Sequence, residues 1–203
     1  MYPHRIRLRG PWDCEPLGRV TMPCRWDHAG RVRCRRRFGY PGRIDDYERV
    51  WLTVAGAGGT MQVWLNGERL GSPDHGGGPF EFDVTRLLRP HNELVIDVEV
   101  PEGGHLWDEV ALEVRCTAFL RGVRAWVEGA RLHAMGEVVG TAERPLDLYV
   151  IQGRSTAAYT TVEATPEGLS FHLVAEGVSG EASGVRVELV NGATVWYVWE
   201  GSM

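Results

Sequence analysis

The densest group of side chains able to do chemistry lies near the middle of the chain, where GGHLWDEV brings His105, Trp107, Asp108 and Glu109 together. An indole can stack on the apolar face of a sugar ring, while an imidazole and carboxylates hydrogen-bond its hydroxyls. Asp108 and Glu109 are adjacent, so in a strand they point to opposite faces, which argues against a carboxylate pair acting on one bond. Upstream, Asp74 and His75 sit in the loop SPDHGGGP, where short polar groups on an accessible segment could also meet a sugar. The same stretch reads equally as a solvated turn whose glycines permit tight geometry. Trp12 and Trp26 fall in the Pro-containing N-terminal segment, outside strong alternation. They could form an exposed stacking platform, but a sandwich edge covered by this segment would bury them, and burial is the reading favoured here.

Other chemistries find little support. All 22 basic residues are Arg, and RVRCRRRF sets Arg31, Arg33, Arg35 and Arg37 on one face of a strand, with Val32, Cys34, Arg36 and Phe38 on the other. No aromatic interleaves that stripe and the net charge is −5, so no nucleic-acid partner is expected. No phosphate-binding glycine motif opens a helix, and no oxygen-rich cluster suits calcium, so neither a cofactor nor a metal is expected. Cys14, Cys24, Cys34 and Cys116 show no zinc spacing. They are expected as free, mostly buried thiols, with a Cys14–Cys24 disulfide as the less favoured alternative. No segment has signal-peptide character or the length to span a membrane, so the expectation is a cytoplasmic protein with no membrane partner.

The elements that must hold these residues are strands. Apolar residues recur at every second position in short runs punctuated by Gly, Pro, Asn and Asp. The clearest runs are 31–38, 49–54, 62–65, 93–100 and 110–115. Asn66-Gly67 within MQVWLNGERL is a type I′ hairpin signal. Asp83 and Thr85 ahead of Leu87 and Leu88 suggest one short helical turn. After Cys116 the alternation restarts at 123–127, 131–139, 146–152, 159–164, 169–175, 185–190 and 194–200, the strand count and spacing of an immunoglobulin-like sandwich. Trp51, Trp64, Trp126, Trp196 and Trp199 lie within these strands and read as core or interface. The last strand, TVWYVWEGSM, is expected to expose aromatic side chains on at least one face.

Four segments, CRRRFGYP, ERVWLTVAGAGGTMQVWLNGERLG, HGGGPFEFDVTRLLRPHNELVIDV and GGHLWDEVALEV, stand in an order and spacing that resembles the N-terminal jelly-roll domain of family 2 glycoside hydrolases. The resemblance covers about residues 5–115. It implies an all-β chain: a galactose-binding-like jelly-roll β-sandwich over residues 1–118, then a smaller immunoglobulin-like β-sandwich over 119–203. It also implies that His75 stands in the family's His-x-Gly-Gly stretch and that Trp107 partly plugs the end of the sandwich. The family's catalytic carboxylates come from a barrel that follows these domains, so none is carried over. The loop PEGGHLWDEV lacks an Arg-x-Ser-Gly element, so a part in an active-site rim is not carried over either.

The expectation is therefore a non-catalytic protein that binds carbohydrate weakly. The alternative is a structural or protein-interaction module that has lost sugar binding, with a protein partner or a homo-oligomer. Catalysis by Asp108, Glu109 and His105 is the least favoured reading.

Overall fold

The computed structural model describes residues 3–24, 29–55, 59–71, 80–100, 109–176 and 184–201. Every regular element among them is a strand. The chain divides into two compact units, one of Arg5–Val114 and a second of Arg115–Met203 with Met1–His4.

In the first unit, β1 (His4–Arg7), β10 (Glu109–Cys116), β5 (Glu48–Ala55) and β8 (Phe80–Asp83) form a four-stranded sheet in that order. A six-stranded sheet runs β3 (Gly18–Val20), β2 (Trp12–Glu15), β4 (Gly30–Gly39), β9 (His91–Val100), β6 (Thr60–Leu65) and β7 (Glu68–Gly71). The period-two pattern drives the fold: Val32 and Cys34, Met61, Val63 and Leu65, Val50, Leu52 and Val54 all turn inward and are buried. Each such aliphatic side chain contributes about 1.5–3 kcal/mol by leaving water. The Asn66-Gly67 hairpin forms as expected, with φ of 54° and 85° at the two residues, as a type I′ turn requires. The expected helical turn is instead a hydrogen-bonded turn, with Leu87 N donating to Val84 O at 2.9 Å and Thr85 N to Asp83 Oδ1 at 3.0 Å.

The register fixes where the strands begin and end. Gly30 pairs with Val100, Thr60 with Glu99 and Val54 with Phe80. Thr53 Oγ1 lies 3.4 Å from the carbonyl of Ala111. The starts of β4, β6, β8 and β10 and the ends of β5 and β9 therefore gather at one end of this sandwich.

Two cysteines depart from expectation. Cys14 and Cys34 form a disulfide, and Cys24 and Cys116 stand outside it. The cause is register: β2 pairs antiparallel with β4, Cys14 stands directly opposite Cys34, and both face the core. Neither four free thiols nor a Cys14–Cys24 bridge describes this arrangement.

The second unit has sheets β11 (Ala118–Glu128), β12 (Arg131–Gly140), β15 (Leu169–Glu176) and β14 (Ser155–Val162), β13 (Leu146–Gln152), β16 (Val185–Asn191), β17 (Thr194–Gly201). Leu132, Ala134, Val138, Leu146, Leu148, Val150, Val187 and Leu189 fill the space between them. The aromatic residues of β17 are not displayed as expected. A bulge opposite Leu189 and Val190 interrupts the alternation, so Trp196 is buried and Tyr197 and Trp199 pack on the same core. Trp126, by contrast, faces outward from β11.

Candidate functional site

Asp74, His75, His105, Trp107, Asp108 and Trp26 lie outside the described residues. Glu109 and Trp12 are described, and they differ. Glu109 opens β10 half-buried, and its carboxylate is clamped by Arg5 Nη2 at 2.5 Å and Arg7 Nε at 2.8 Å. Arg5 also reaches Glu113 at 3.4 Å, so this acid is held in a structural ion-pair cluster. Trp12 is fully buried, and its indole donates to the carbonyl of Leu8 at 2.7 Å. It has no free face to stack on a sugar, in keeping with the burial favoured from sequence.

The outer face of the six-stranded sheet places hydrogen-bonding groups near the same strand ends. A shallow groove is lined by Arg31, Thr60, Gln62, Asp97 and Glu99. Asp97 is buried, receives Arg31 Nη2 at 2.6 Å and Arg33 Nη1 at 3.5 Å on Oδ2, and has no partner for Oδ1. The hydrogen bond from Arg31 to Asp97, and then the charge of Asp97, raise the guanidinium pKa above its ordinary value. The Arg33 guanidinium stands over the Trp64 ring, 5.8 Å from its centre. Guanidinium, amide and hydroxyl donors thus alternate with carboxylate acceptors, as the vicinal hydroxyls of a sugar require.

The arginine stripe forms on one face of β4 as read from sequence. Its charge is answered across the ladders: Arg31 faces Glu99, Arg33 faces Asp97 and Glu15, Arg35 faces Asp13, and Arg37 faces Glu93. Such pairing leaves an interleaved surface rather than the single-sign field that attracts a phosphate backbone. Sequence reasoning nominated none of Asp97, Gln62 and Thr60. The available signal was Asp97 itself, an acid set inside the apolar run ELVIDVEV. Among the described residues no group of three or more His, Cys, Asp or Glu side chains is arranged to hold a metal, and no helix is long and apolar enough to cross a membrane.

The architecture defines a class of fold: an all-β chain of antiparallel sheets, shared with parts of solved β-glucuronidases. The chain is 32% identical over 175 residues to β-galactosidase BgaC of Bifidobacterium adolescentis, a match covering 83% of this chain and 16% of that protein. No protein-family model matches. Among solved structures, Bacteroides uniformis β-glucuronidase superposes with a TM-score of 0.78 at 15% identity, covering 99% of this chain and 32% of that one. Bifidobacterium dentium β-glucuronidase, complexed with coumarin-3-O-glucuronide, gives 0.73 at 19% identity, covering 100% and 49%. The chain thus resembles part of the family 2 glycoside hydrolases and spans about a sixth of the curated relative it matches. The catalytic barrel of those enzymes has no counterpart in these 203 residues.

Proposed function

We propose that this chain is a non-catalytic carbohydrate-binding portion of a glycosidase-like protein, with its sugar site at one end of the jelly-roll unit. One observation carries the reading. The strand ends at Gly30, Ala55, Thr60, Phe80, Val100 and Glu109 gather at a single end, and the sequence stretches adjoining them contain Trp26, Asp74, His75, His105, Trp107 and Asp108. The groove containing Arg31, Thr60, Gln62 and Asp97 opens near those strand ends and supports the reading. The 32% identity to a β-galactosidase makes a galactoside the first ligand to try.

An open groove with few desolvated contacts gives dissociation constants of about 10 μM to 1 mM. A glycan screen followed by titration tests the reading. Binding weakened by Trp107→Ala is expected, together with no hydrolysis of a nitrophenyl glycoside panel. A folded protein silent on the whole panel at millimolar sugar would sink the proposal and favour a protein-interaction module.

A further inference from the structure

The outer face of the three-stranded sheet in the second unit carries an aromatic arrangement that the core does not require. Ala125, Val127, Leu132, Ala134, Leu173 and Ala175 already supply its inward side. On the outward side the register sets Trp126 beside His133 and Val174, and Arg124 beside Met135 and His172.

His133 Nδ1 and His172 Nε2 are 3.2 Å apart, with the ring centres 5.4 Å apart and the planes 25° from parallel. That geometry puts the two imidazoles nearly edge to edge in one layer joined by a hydrogen bond. The indole of Trp126 lies almost parallel to this layer, 5.0 Å and 8° from His133 and 5.9 Å and 19° from His172. A single exposed Trp would be free to turn. This one is seated on a two-ring base, and its exposure of 37% leaves it open to solvent beside Met135 and Val174, at 43% and 45%.

The rows on either side are polar. Glu128, Arg131 and Glu176 align on one side, with Arg131 and Glu176 paired at 3.1 Å, while Arg121, Glu137 and Ser170 align on the other. The plate of Trp126, His133, Val174, Arg124, Met135 and His172 is three strands wide and two rows deep, roughly 10 Å by 7 Å. A specific protein interface needs about 800 Å² on each partner, roughly ten times more. The plate matches one or two pyranose rings, whose C–H face stacks on an indole while the hydroxyl perimeter meets charged donors and acceptors.

The geometry points to a second carbohydrate site: Trp126, seated on the His133–His172 pair, is a stacking platform for a pyranoside on the second unit. The inference rests on the carbohydrate reading of the chain for its choice of probe, and its residues are separate from those of the jelly-roll site.

The experiment is isothermal titration calorimetry of the intact chain with β-1,4-galactobiose, using wild type, Trp126→Ala, Trp126→Phe, Trp107→Ala and the 107/126 double alanine variant. Thermal unfolding of each variant checks its fold. Trp126→Ala is expected to remove one class of site or weaken it roughly tenfold or more. Trp126→Phe, which keeps a ring, is expected to retain a measurable part of that binding. Natively folded Trp126→Ala binding with wild-type stoichiometry and affinity would overturn the platform and leave the jelly-roll reading standing. Loss in Trp126→Ala with no change in Trp107→Ala would do the reverse. Silence of the wild type at millimolar sugar would overturn both.

Discussion

Single residues explain why two of the family-like segments look as they do. Asn66 and Asn92 form a hydrogen-bond knot between the hairpin and the turn that precedes β9. Asn66 Nδ2 donates to Leu87 O at 2.7 Å and to Asn92 Oδ1 at 2.9 Å, and its own Oδ1 accepts Glu93 N at 2.9 Å. Asn92 in turn accepts Arg89 N at 2.8 Å and donates to Arg89 O at 2.7 Å. WLNG and RPHNEL therefore serve the fold, and their presence says nothing about sugar by itself. Asn92 is buried, so Asn92→Ala strands donors away from water and is expected to cost about 2–3 kcal/mol in urea unfolding. A loss below about 0.5 kcal/mol would contradict the knot. Tyr149 offers a second test. Desolvation, and then the charges of Asp147 and Tyr159, raise its phenol above the ordinary range. A raised folded-state pKa favours the neutral phenol, so its contribution is complete below the ordinary tyrosine value of about 10 and is lost as pH climbs through the raised one. Absorbance titration at 295 nm is expected to show a late-ionising tyrosine that Tyr149→Phe abolishes. Wild-type stability is expected to fall more steeply than that of Tyr149→Phe above about pH 10.

At the scale of elements, strands with clean alternation were legible and those shaped by partners were not. The runs that became β4, β5, β9, β12 and β13 could be read because one face of each is apolar. β2 is only four residues long and follows a proline, so its pairing with β4, and the disulfide that pairing brings, left no periodic trace. The bulge in β17 was equally hidden, because an extra residue in a ladder is set by the partner strand. Trp126 was hard to assign for a related reason: alternation fixes which residues share a face and leaves open which face is covered. The Cys14–Cys34 bridge encloses a 20-residue separation. Closing such a loop stabilises by about 3 kcal/mol in the chain-entropy picture. Protein denatured without reductant is expected to titrate two thiols, from Cys24 and Cys116, and four after reduction. Four before reduction would contradict the bridge.

For the whole molecule, sequence carried the order of two sandwiches, because hydrophobic period and turn chemistry agree along most of the chain. Most of the nominated sugar-binding residues lie outside the described ones. That the strand ends at Gly30, Thr60 and Val100 gather together follows from strand register, which single-sequence reading does not supply. Gln62 was missed because an outward polar residue in a strand looks like ordinary solvent-facing surface until its neighbours are known. The central claim is that these strand ends and their adjoining stretches form one sugar site. Hydrogen-exchange mass spectrometry of the intact chain with and without millimolar galacto-oligosaccharide tests it most directly. The expected result is added protection, at the same sugar concentration, in peptides covering 25–31, 56–62, 72–80 and 99–109. Unchanged exchange in all four at saturating sugar would contradict the account.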